Sequence, residues 1–83
     1  MDIRFTRTAR RHRVGKARVL AVMDAQGDPL VVTSADGHSV EFWWFGVDQR
    51  GVEIEIMAVE RADCWLVVHA MPTHYHRRRQ GGE

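Results

Sequence analysis

The chain has 83 residues, 45% hydrophobic and 28% charged, with formal net charge +1. That size suits one domain with a modest core, since a chain this short buries only about 60% of its unfolded surface. No apolar run approaches the roughly 20 residues of a membrane span, and lone Cys64 excludes an internal disulfide and a CxxC metal motif.

The segment "MDIRFTRTARRHR" is basic but has no following apolar stretch with a small-residue cleavage site, so no secretory signal and a cytoplasmic location are expected. Ile3 to Phe5 reads as a short edge strand. Thr6 or Thr8 can cap a helix, because a hydroxyl accepts from a free first-turn N–H. Two short helices are expected, 7–12 and 15–25. Val14, Ala17, Leu20 and Ala21 recur near helical spacing, and Gly15 interrupts. Gly27 suits a positive-φ cap, and Pro29 cannot continue the helix.

The period then falls to two. Leu30–Thr33 reads as a strand and Asp36-Gly37 as a hairpin turn. Val40–Val47 reads as an aromatic strand, and "DQRG" (Asp48 to Gly51) as a second turn. Val52–Val59 alternates, with Val52, Ile54, Ile56 and Ala58 on one face and Glu53, Glu55, Met57 and Val59 on the other. "ERAD" turns again, and Cys64 to Met71 is the last strand, ended by Pro72. On strict alternation His69 shares a face with Trp65, Val67 and Met71. The expected class is α+β: N-terminal helices packed on one face of an antiparallel meander. One domain is expected over 1–79, with a frayed tail at 80–83.

Charge is uneven. Residues 1–18 carry seven basic groups against Asp2, net +6; residues 19–69 carry Arg50 and Arg61 against nine acids, net −7; residues 70–83 carry three arginines against Glu83, net +2. Basic ends flanking an acidic middle can bind a polyanion if the fold unites the ends. In "RRHRVGK", helical spacing puts Arg10, Arg13 and either Lys16 or Arg7 along one side. Such a stripe can hold phosphates, or it can be a solvated helix face.

"HYHRRR" places His74, Tyr75 and His76 beside Arg77, Arg78 and Arg79. Histidine transfers protons near neutral pH, tyrosine offers a hydroxyl, and arginine stabilises phosphorane charge. The competing reading is a solvated polar end. Two histidines do not complete a metal site, so neither metal nor cofactor is expected. His69 is either a hydrogen-bonded strand residue or part of an active groove. Phe42, Trp43 and Trp44 can stack on bases, but adjacent strand residues face opposite ways, so a partner-protein or dimer contact explains the outer aromatics more simply.

"FGVDQRGVEIEIMAVE" followed by "WLVVHAMP", with the earlier "TARRHRVGKARVLAVM", resembles small actinobacterial toxin components of toxin–antitoxin pairs. The order of short strand, helices and antiparallel sheet is similar, more distantly, to BrnT and RelE-type ribonucleases. The resemblance implies a metal-independent endoribonuclease acting on free or ribosome-bound RNA and neutralised by a cognate antitoxin. On that reading Arg10, Arg11, Arg13, Lys16 and Arg78 hold RNA, and His69, His74, Tyr75, His76 and Arg77 supply the chemistry. The alternative is a non-catalytic module that binds nucleic acid or protein.

Overall fold

A computed structural model describes residues 2–10 and 14–73. It contains β1 (Asp2–Phe5), a 3-10 turn (Thr8–Arg10), α1 (Lys16–Gln26), β2 (Leu30–Thr33), β3 (Val40–Val47), β4 (Glu53–Glu60) and β5 (Cys64–Pro72). The α+β class and every expected strand are present. Two expectations need correcting. Over its described residues the first helical segment is a 3-10 turn (Thr8–Arg10), closed by Arg10 N–H on Arg7 O at 3.1 Å and capped by Thr6 Oγ1, which accepts from Ala9 N–H at 3.1 Å. The sheet is mixed, not a pure meander. Its order is β1-β5-β4-β3-β2, and β1 runs parallel to β5. A parallel neighbour requires a crossover connection rather than a hairpin, and here the rest of the chain lies between the two strands.

α1 covers one sheet face. Val19, Val22 and Met23 recur at helical spacing and are buried. They join Trp44, Ile54, Ile56, Ala58, Val67 and Ala70 in the core, with Ala9 and Val14. Gly27 ends α1 at φ 78°, its N–H bonded to Met23 O at 3.0 Å. Gly46 lets α1 approach β3 closely: a Cβ there would meet Val22 Cγ1 at 3.0 Å.

The β3–β4 turn is organised by Asp48. Its carboxylate accepts from the backbone N–H groups of Arg50 and Val52 and from Arg18 Nε of α1. Its side chain is wholly buried. Burial pushes its pKa up, but the Val52, Arg18 and Arg50 donors outweigh that and hold it below the usual aspartate value. A depressed carboxylate contributes stability above its unfolded pKa and loses it as pH falls through the folded one. Melting temperature should therefore drop on acidification below the ordinary aspartate range. Asp48→Asn should be less stable at neutral pH and show a flatter acid limb; an unchanged acid limb would remove Asp48 from that role.

One irregularity decides which face β5 side chains take. Met57 pairs with His69 but Ala58 pairs with Val67, so Val68 is an extra residue opposite a bulge in the register. A bulge reverses the alternation beyond it. Trp65 and Val67 consequently join the α1 side, while His69 and Met71 face the other way. His69 therefore does not share a face with Trp65 and Val67, contrary to strict alternation.

Candidate functional site

The face opposite α1 is built from three strands. Trp43, Met57 and His69 form one register row, and Phe45, Glu55 and Met71 form the next. His69 and Glu55 are diagonal neighbours across β4 and β5, within reach of long side chains. His69 Nε2 lies 2.8 Å from Glu55 Oε2. The pair is only partly screened: 27% of the His69 side chain and 11% of that of Glu55 is exposed. The Trp43 ring stands 5.8 Å from the His69 ring, tilted by 58°. Trp43 also stacks on Phe45 at 5.7 Å, with planes 6° apart, and its Nε1–H donates to Glu41 Oε1 at 3.1 Å.

This arrangement has a defined chemical capability. When the carboxylate is ionised it only accepts, so the hydrogen of the His69–Glu55 bond then belongs to Nε2. In that tautomer an imidazole in its neutral form keeps Nδ1 as its acceptor, oriented by a carboxylate partner. A proton taken at Nδ1 gives an imidazolium that stays beside the Glu55 carboxylate. The aromatic and thioether neighbours limit water around the pair.

No protein-family model, curated protein or solved structure matches the chain.

The expected site residues are only partly brought together. His69 stands on the face just described. Arg10 and Lys16 do not: with Phe5, Val14 and Gly15 they line a cavity of about 300 Å³, and Phe5 pairs with Val67 on the α1 side. Lys16 Nζ lies 5.8 Å from the Phe5 ring centroid, a cation–π distance. Arg4 of β1, paired with Leu66 of β5, lies on the His69 face, its guanidinium 4.0 Å from the Asp2 carboxylate and 3.9 Å from that of Asp63. Arg11, Arg13, His74, Tyr75, His76, Arg77 and Arg78 lie outside the described residues, as does the 80–83 tail. Thr73 anchors the chain just past β5, its Oγ1 bonded to Glu53 O at 3.0 Å and to Glu53 Oε1 at 2.7 Å.

Among the described residues no three His, Cys, Asp or Glu side chains gather to hold a metal ion. No described helix is long and apolar enough to cross a membrane. Glu55 is the functional candidate that sequence reasoning missed. Its alternation placed it with Met57 on the outer face, which is correct, but its partner depends on the bulge.

Outer-face aromatics behave as adjacent strand positions dictate. Trp44 is buried beneath α1, whereas Phe45 and, two positions on, Val47 are exposed. Across the hairpin Leu30 and Val32 are exposed beside them. An apolar strip therefore runs along β2 and β3 next to the His69–Glu55 pair.

Proposed function

We propose that this chain is the toxin of a toxin–antitoxin pair, a metal-independent endoribonuclease whose proton transfer centres on His69. The observation that carries the reading is the His69–Glu55 pair at 2.8 Å on the sheet face that α1 leaves uncovered. In the reaction, His69 Nδ1 takes the proton of a ribose 2′-hydroxyl. The 2′-oxygen attacks phosphorus, the bond from phosphorus to the 5′-oxygen breaks, that oxygen takes a proton from a water molecule, and the His69 imidazolium returns its proton to the resulting hydroxide. The products are a 2′,3′-cyclic phosphate and a 5′-hydroxyl. Glu55 holds the ring and stabilises the imidazolium. A cognate antitoxin would silence the activity by occupying that face.

Induction of the chain alone should arrest growth, and co-expression of its antitoxin should restore it. Purified chain should yield cyclic-phosphate ends on free or ribosome-bound RNA. Normal growth at verified soluble expression, with no cleavage of either RNA, would refute the proposal. A second reading, a non-catalytic protein-binding module, is favoured by the exposed strip of Leu30, Val32, Phe45 and Val47. It predicts partner binding without RNA cleavage.

A further inference from the structure

β2 ends the sheet opposite to β1. Its outer edge can be read atom by atom. Ser34 N–H donates to Ser39 O at 2.8 Å across the hairpin. Hydrogen-bonded and non-hydrogen-bonded pairs alternate along an antiparallel ladder. Val32 opposite Glu41 and Leu30 opposite Trp43 are therefore bonded pairs, whereas Val31 opposite Phe42 and Thr33 opposite Val40 are not. The N–H and C=O groups of Val31 and Thr33 consequently point away from β3, toward an edge on which no described strand pairs.

That edge is short and Pro29 precedes it, but the strand itself carries none of the charge, proline or bulge that otherwise blunts a sheet edge. β2 is Leu-Val-Val-Thr, in unbroken register with β3. Leu30 is 60% exposed, Val31 56% and Val32 38%. Leu30 and Val32, with Trp43, Phe45 and Glu55, line a shallow cavity of about 300 Å³ beside the edge. An added strand would find backbone partners at Val31 and Thr33 and a receptor for its alternate side chains in this cavity, the two elements of strand-addition recognition.

Charge selects the occupant. Residues 24–47, which include β2 and β3, contain Asp24, Asp28, Asp36 and Glu41 and no lysine or arginine, net −4 with His38 neutral. The cation Arg61 meets the hairpin only at its far end, beside His38, Ser39 and Val40. Pairing β2 with β2 of a second copy would bring two such acidic units together and is disfavoured. We infer that the β2 edge takes an extended segment of a partner protein, apolar at alternate positions and basic between them, as an added antiparallel or parallel strand. This goes beyond the ribonuclease reading and holds whether or not His69 is catalytic.

The probe is a short fluorescent peptide alternating valine with lysine, against a control with glutamate for lysine. The lysine peptide should bind at least about tenfold more tightly than the control and weaken with salt. Hydrogen exchange should show new protection at the Val31 and Thr33 amides. Val31→Pro should abolish binding and leave the fold intact, because the Val31 N–H is unused in the ladder and edge strands tolerate proline there. D28K/E41K should reverse the preference between the two peptides, and it decides the matter alone if Val31→Pro does not fold. Equal binding of both peptides, no binding of either, or undiminished binding to folded Val31→Pro would overturn the inference. So would self-association that Val31→Pro abolishes, which would assign the edge to a second copy.

Discussion

Replacing His69 with alanine should lower RNA cleavage by at least about a hundredfold, the typical cost of losing a positioned acid–base group. The loss should fall on turnover and leave RNA affinity nearly unchanged, because an imidazole contributes little to phosphate binding beside arginine. His69→Ala leaves the nearly buried Glu55 carboxylate without its hydrogen bond, a cost of about 1–3 kcal/mol, so cleavage is compared at a temperature where the variant is verified folded. Glu55 acts through His69, so its substitution has a different signature. Glu55→Gln can still meet Nε2, but an amide no longer stabilises the imidazolium. Activity should fall by about ten- to a hundredfold, in the range for loss of an orienting partner, with the loss in kcat rather than KM, and Glu55→Asp should restore part of it. A merely structural Glu55 would change stability and leave kcat of the folded variant in place. The combined substitution of His74, Tyr75 and His76 is the competing test. If that triple variant loses cleavage while His69→Ala cleaves at the parental rate, the chemistry belongs to the segment after Thr73 and not to the sheet face.

Much of this fold is legible in the residues because local rules agree with one another. The alternation of Ile54, Ile56 and Ala58 identifies the buried face of β4, and all three are fully buried. Gly37 and Gly51 occupy the turns where positive φ is needed, at 75° and 79°. What local rules do not carry is long-range pairing. Nothing in Ile3 to Phe5 states that its neighbour is β5, some sixty positions away, or that the two run parallel. The bulge at Met57/Ala58 has the same character. It is a property of how two strands register, and no residue in β5 announces it. Yet it sets which side His69 takes, and therefore makes the pairing with Glu55 possible. The site was half legible for that reason: His69 stood out by its chemistry, while Glu55 read as an ordinary outward acid. Helical spacing did align Arg10 with Lys16, but it could not show that both lie on the side of the sheet away from His69.

The adjacent tryptophans of β3 should respond to alanine in opposite ways. Trp44 is 3% exposed, packs edge-to-face on Trp65 with centroids 5.6 Å apart, and donates Nε1–H to Gly27 O at 3.2 Å. Trp44→Ala removes a large buried ring and leaves a cavity that α1 and β5 can only partly close, at a cost of about 3–5 kcal/mol. Small domains hold a total margin of roughly 5–15 kcal/mol, so this variant should be largely unfolded or melt far below the parent. Trp44→Phe keeps ring packing and loses the bond that ties β3 to the end of α1, costing about 1 kcal/mol from the hydrogen bond plus a smaller packing loss. Trp43 faces the other way, where its ring meets Phe45 and His69 and its Nε1–H meets Glu41. Trp43→Ala should shift urea midpoint little while weakening whatever the His69 face binds. Circular dichroism through a urea titration of the three variants decides the point. If Trp43→Ala destabilises as much as Trp44→Ala, the outer face is a second core of the isolated chain, and a site that must admit RNA cannot be placed there.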